Sequence, residues 1–348
     1  MSRIGRWRAL AAAAAYLATA GVAAAHADGQ RDFDFNRGAW KTHVSRLERP
    51  LSNSPSRQLE YDGMSVVSDV WDGRASIIEL DVQGPAGRIQ GIGLRLFNPQ
   101  SRQWNLNWVN GGDALPGPPM IGEFRDGRGE FFDHELFGGR SILARNAFFD
   151  ITAQSARFEQ AFSADGGRTW EPNWLMTFER TQAPAASSAK RASPDPPGGF
   201  DFHVGTWAVR ISRLQNPLTG STTWHQLDGK VVVRSFLGGH GNLAEVTAHG
   251  QSEDIELLSL RLYDPETHQW RMYFARSADG TLGTPMIGEF KGERGEFYSV
   301  EPYRDRTIMV RFVFIPLTAD SARSEQAFSQ DGGKTWEVNW INNYTRSR

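Results

Sequence analysis

The stretch Ser163-Ala164-Asp165-Gly166-Gly167-Arg168-Thr169-Trp170 returns as Ser329-Gln330-Asp331-Gly332-Gly333-Lys334-Thr335-Trp336, and each copy is followed by an Asn-Trp pair, Asn173-Trp174 and Asn339-Trp340. Each reads as a tight turn between two strands, with an Asp to bond turn amides and glycines to supply positive φ. The rest of the chain repeats with it. Phe33 to Trp40 matches Phe200 to Trp207, and Leu94-Arg95-Leu96-Phe97 matches Leu260-Arg261-Leu262-Tyr263. Pro119 to Phe124 matches Pro285 to Phe290, and Glu159 to Ser163 matches Glu325 to Ser329. A chain built this way is a duplication, and whatever it folds into it folds into twice.

Within each copy, strand-like runs are separated by turn signals roughly every 8 to 15 residues. In the first copy they fall near 39–47, 58–69, 75–83, 89–97, 102–109, 119–124, 128–134, 140–150, 156–163 and 169–179, and no window has a convincing amphipathic helix. The predicted fold is all-β: two tandem antiparallel up-and-down barrels of about ten strands each, because closure removes exposed sheet edges. A barrel of that size has room for a ligand, although side chains can also fill it. The expected division is a first barrel at 31–180, a Pro/Ala/Ser-rich linker at 181–198 and a second barrel at 199–348.

Residues 1–27 read as a secretory signal: Arg3, Arg6 and Arg8, then a small apolar run from Ala9 to Ala25, then Ala25-His26-Ala27 as a cleavage site. The expected location is periplasmic or secreted, by the ordinary export route, with no transmembrane segment once the signal is removed. Removing it takes away three Arg and no acid, so the formal charge moves from −2 to −5, which argues against nucleic acid as a partner. The chain has no cysteine, which excludes disulfides, thiolate metal sites and a Cys nucleophile.

The Gly38-Ala39-Trp40 and Gly205-Thr206-Trp207 openings resemble the Gly-x-Trp start of lipocalin-type barrels. That resemblance implies that Trp40 and Trp207 plug the closed ends, with Arg180 and Arg346 from the last strands stacked over them. With the central Leu-Arg-Leu-Phe/Tyr strand and the Ser-x-Asp-Gly-Gly-x-Thr-Trp closing, each copy also resembles the bacterial domain of unknown function 1579. This implies a lipocalin or fatty-acid-binding-type barrel and carries no established activity. The closing motif also fits the Asp-box of sialidase propellers. A propeller would use it once per blade, however, and here it occurs once per barrel-sized unit. Asp165 and Asp331 are therefore read as turn-holding residues.

Candidate ligand-binding residues are the arginines set in apolar strands, Arg95, Arg145, Arg261 and Arg311, suited to a carboxylate or phosphate. The alternative for each is an ion pair with a recurring Glu, such as Glu79, Glu123, Glu130 or Glu159. Aromatic candidates for a pocket wall are Trp104, Trp108, Trp174, Trp270, Phe274 and Trp340, with core filling as the alternative. Trp108 is replaced by Phe274 in the second copy, so the two interiors are expected to differ. Glu123 and Glu289 are the candidate general acids. No His spacing suits zinc, no cofactor is expected, and there is no nucleophile elbow or phosphate-cradling Gly loop.

Three classes of function follow. The first is an exported binding protein for a small apolar or amphipathic molecule. The second is an enzyme of hydratase, cyclase or isomerase type on an apolar substrate; tandem lipocalin-type barrels occur in such enzymes, which this chain resembles only in architecture. The third is a structural protein with filled barrels. Ligand identity and oligomeric state are left open by the sequence.

Overall fold

The computed structural model describes residues 29–52, 54–182 and 199–347. The signal segment and nearly all of the linker lie outside the described residues. Barrel 1 consists of β1 (Gly38–Leu47), β2 (Gln58–Val70), β3 (Ala75–Gly84), β4 (Gly87–Asn98), β5 (Gln103–Asn110), β6 (Met120–Arg125), β7 (Arg128–Phe137), β8 (Arg140–Phe149), β9 (Ser155–Ser163) and β10 (Glu171–Arg180). Barrel 2 consists of β11 (Gly205–Leu214), β12 (Trp224–Phe236), β13 (Gly241–Gly250), β14 (Asp254–Asp264), β15 (Gln269–Arg276), β16 (Met286–Lys291), β17 (Arg294–Tyr303), β18 (Arg306–Thr318), β19 (Ser321–Ser329) and β20 (Glu337–Arg346). Each strand pairs antiparallel with its sequence neighbours, and the last strand returns to the first, so both sheets close. The expectation of two ten-stranded antiparallel barrels therefore holds.

One end of each barrel is plugged by the segment that enters it. In barrel 1 a 3-10 turn at Asp34–Asn36 leads into β1, and Phe33 lies inside among Trp104, Phe124, Phe131 and Phe148. Trp40 is fully buried and donates Nε1–H to the Asn36 carbonyl at 2.8 Å. The Arg180 guanidinium lies 4.1 Å from the Trp40 ring centre and donates to the Phe35 and Arg37 carbonyls, both at 2.6 Å. Barrel 2 repeats this, with Arg346 4.1 Å over Trp207 and bonded to the Phe202 and Val204 carbonyls. An arginine with a ring beneath it and carbonyls around it keeps its charge solvated while sealing the base.

The Asp-Gly-Gly hairpins sit at the opposite end, between β9 and β10 and between β19 and β20. Asp165 Oδ1 accepts from the Arg168 and Thr169 amides at 3.0 Å, and Oδ2 accepts from Thr169 Oγ1 at 2.7 Å. These bonds hold its carboxyl well below the usual range. Gly166 and Gly167 have φ of 75° and 86°, a conformation that disfavours other residues. Asp331 makes the same bonds in its own turn.

The two barrels share a continuous apolar interface. Strand alternation sends Leu94 and Leu96 outward from β4 while Arg95 points inward. Those leucines, with Val70, Ile77, Ile92 and Val109, form one buried cluster with Phe236, Leu243, Leu258, Leu260, Leu262 and Ala275 of barrel 2. The two sets occupy equivalent positions in the repeat, so the same outer face meets itself, as in a twofold dimer fused into one chain. Arg74 forms a bidentate pair with Glu256 at 2.7 and 2.6 Å across the junction. The Trp71 amide, held at φ 52°, donates to Glu245 Oε1 at 2.9 Å.

Candidate functional site

Barrel 1 encloses a cavity of about 500 Å³, well inside the range of small-molecule sites. Its wall is largely apolar: Ile78, Leu80, Leu106, Met120, Phe148, Phe158, Met176 and Phe178, with Trp108 and Trp174. Trp108 stands where it does because β4 carries glycines beside it. A Cβ on Gly91 would lie 2.3 Å from the Trp108 ring. At the mouth, a second hollow shares Asn110, Gln160 and Trp174 with the cavity and brings in Arg46, Glu48 and Arg88. The path therefore runs from a charged rim into a largely apolar interior.

Into that apolar space project Arg95, Asp133, Glu135, Asn146 and Gln160. The last four form a stripe across three strands. Asn146 is directly opposite Gln160, and Asp133 is opposite Ala144, one step diagonal from Asn146. Asp133 Oδ1 and Asn146 Oδ1 are buried and have no hydrogen-bond partner among the described residues, nor does Trp174 Nε1. Burial, with the like charge of Glu135 as a smaller cause, pushes the Asp133 carboxyl up to about 7. Burial also raises Glu135. Asp133 can therefore gain or lose a proton near neutral pH, or accept a bond from a bound group.

Arg95 is buried at the cavity floor, its guanidinium 4.2 Å from the Phe33 ring centre and bonded to Asn36 Oδ1 at 2.8 Å. Burial lowers its pKa to about 9, so it stays protonated at neutral pH. Arg261 does the same in barrel 2, 4.4 Å from Phe200 and bonded to His203 Nδ1 at 3.0 Å.

The other candidates are dispersed. Arg145 and Arg311 point outward and stack 4.9 and 4.6 Å over Trp170 and Trp336, and Arg145 pairs with Glu159 at 2.9 Å. They do not reach the interior, because their neighbours Ala144, Asn146 and Phe312 hold the inward face. Glu123 and Glu289 are also on the outer face, paired with Arg125 and Lys291. Between inward Gly122 and Phe124, Glu123 cannot face the cavity, so the acid role expected for it has no geometric basis; Asp133 is the carboxyl placed for such a role. Trp104 and Trp270 belong to the base plugs, edge-on to Phe33 and Phe200 at 5.0 and 5.2 Å. Phe274 packs against Phe312 at 6.1 Å, and Trp340 bonds Asn342 at 2.7 Å, both within barrel 2.

Asp133, Glu135, Asn146 and Gln160 were missed from sequence, yet a signal was present. In β7 the upper half is inverted: the acids Asp133 and Glu135 face in, while Phe132 and Leu136 are exposed, Leu136 at 78 %. Polar residues on the inward face of a barrel strand mark a site that packing does not explain.

A scan against protein-family models finds no match, and no curated protein matches the sequence. Among solved structures, the chain is similar to an S-type phycobiliprotein lyase of Guillardia theta, at 11 % identity and a TM-score of 0.31, over 43 % of this chain and 90 % of that one. It is also similar to a protein of unknown function from the DUF3598 family of Nostoc punctiforme, at 10 % identity and a TM-score of 0.25, over 92 % of this chain and 99 % of that one. A third likeness is to a transferrin-binding protein B of Haemophilus parasuis, at 8 % identity and a TM-score of 0.17, over 88 % of this chain and 75 % of that one.

Proposed function

We propose that this is a small-molecule-binding protein in which barrel 1 holds the ligand and barrel 2 is a packed scaffold. The observation that carries the reading is a cavity of about 500 Å³, apolar over most of its wall, with Asp133 and Asn146 in that wall, each carrying a buried oxygen that has no hydrogen-bond partner among the described residues. An unsatisfied buried polar atom costs about 1–3 kcal/mol, a cost that a bound polar group would relieve. At the equivalent positions barrel 2 carries Ser299, which donates to Glu301, and Phe312; where barrel 1 has Phe158, Met176 and Phe178, barrel 2 has side chains that bond one another, Asn342 to Ser324 at 2.8 Å and Ser324 to Tyr344 at 3.0 Å. The ligand is a small, largely apolar molecule, with the aromatic wall for affinity and the polar stripe for orientation.

Export is part of the same proposal, supported by the basic start and small apolar run of residues 1–27. So is kinship with the domain of unknown function 1579, which rests on the repeated motifs alone. Native mass spectrometry of the exported protein tests the binding reading directly. Copurified small molecules, lost in Asn146→Phe, are the expected result. An empty protein whose Trp fluorescence is unmoved across lipids, isoprenoids and aromatic amines and acids would overturn it.

A further inference from the structure

The two barrels act as an internal control for which polar groups serve the scaffold. Arg95 has a counterpart, Arg261, making the same contacts in barrel 2: a ring of the entering segment beneath it and a side chain of the 3-10 turn bonded to it. Its contacts are explained by the plug. Asp133 and Asn146 have no such counterpart, since Ser299 and Phe312 replace them. What distinguishes the open barrel is a pair of neighbouring acceptors, each with an oxygen that finds no partner.

The charge of the cavity selects what those acceptors would take. The charged groups lining it are Arg95, Asp113, Asp133 and Glu135, three carboxyls to one guanidinium. Asp113 accepts from Asn110 at the mouth, and Arg95 lies with the Phe33 plug at the floor. Strand β8, which pairs with β7, faces Asp133 with Ala144 and Asn146, and β6 on its other side contributes Met120, so neither brings a compensating cation. An anion would add to this excess of carboxyls. A cation would offset the cost of ionising Asp133 and pair with it at low dielectric, with aromatic faces of Trp and Phe in the same wall.

We propose that the ligand of barrel 1 carries a protonated amine on an apolar or aromatic body, with Asp133 as its counter-ion and Asn146 as its second acceptor. This rests on the binding reading above. A cation at this site draws Asp133 into its ionised form, so binding releases a proton when the free carboxyl is protonated. The affinity then rises with pH by up to about tenfold per unit below 7 and levels off above it.

Three probes with one hydrocarbon body separate the possibilities: 4-phenylbutylamine, 4-phenylbutanol and 4-phenylbutyric acid, titrated calorimetrically into the full protein between pH 6 and 8.5. The amine is expected to bind at least tenfold more tightly than the alcohol at pH 8, and the acid more weakly still. Asp133→Asn is expected to remove that preference and the pH dependence, bringing the amine to the affinity of the alcohol or below it. Asp133→Ser, the residue of barrel 2, gives the same readout if the Asn variant does not fold. Tighter binding of the acid or alcohol, or an unchanged amine affinity in the variants, overturns the amine assignment alone. Binding of none of the three overturns the cavity reading and the amine assignment with it.

Discussion

Barrel 1 and barrel 2 share strand number, register, base plug and closing hairpin, yet differ in what stands at the centre. Where barrel 1 has Trp108, Asp133, Asn146, Phe158 and Met176, barrel 2 has Phe274, Ser299, Phe312, Ser324 and Asn342. Phe312 brings a ring into the interior, where it packs on Phe274. The change of Met176 to Asn342 gives the Trp340 Nε1–H an acceptor at 2.7 Å, whereas Trp174 Nε1 has no partner among the described residues. The difference teaches that residues retained in both copies maintain the barrel. Those changed in one copy set what stands in its interior.

The shared features should respond equally in both barrels. Leu94→Ala and Leu260→Ala each remove a fully buried side chain from the inter-barrel cluster and should cost about 2–5 kcal/mol. Denaturant melts should show similar losses and a single transition. A large loss for one and none for the other would break the equivalence of the two faces. Arg180→Ala and Arg346→Ala should each cost about 1–2 kcal/mol through lost stacking and carbonyl bonds. Here Arg180→Ala should also weaken ligand binding, since the base it seals lies under the cavity; equal binding in the two variants would show the base to be uncoupled from the site.

A third effect separates the barrels by pH. The free carboxyl of Asp133 lies at about 7 in the folded chain against 3.8 for an ordinary Asp. Between those values the folded state binds more protons than the unfolded one, so this group makes ligand-free stability fall as pH rises. Asp133→Asn should therefore melt higher than the parent at pH 8, with the gap closing toward pH 4. Ser299→Asn, at the same place in barrel 2, should show no such crossing. A constant gap for Asp133→Asn would place its carboxyl in solvent.

The architecture was legible because duplication prints the same turn and plug residues twice. Ten strands per copy follow from the strand-like runs and the turn residues, and the arginine-over-tryptophan base is what the resemblance to lipocalin-type openings implies. The site was only partly legible, and for a definite reason. Repetition draws attention to Arg145, Arg311, Glu123 and Glu289, which recur because each copy needs its outer-face stacks and pairs. The residues that shape the cavity are marked by a mismatch between copies: Gly91 and Gly93 against Leu257 and Ser259, and Asp133 against Ser299.

By itself, the amino-acid sequence determined that this chain makes the same all-β unit twice, since strand pattern and turn chemistry are local properties that act within a few residues of one another. Only the tertiary structure decided which face of β7 lies inside, that the leucines of β4 and β14 join the barrels while the arginines between them point inward, and that barrel 1 encloses a cavity with Asp133 and Asn146 in its wall. Those outcomes depend on register and on volumes summed across strands far apart in the chain.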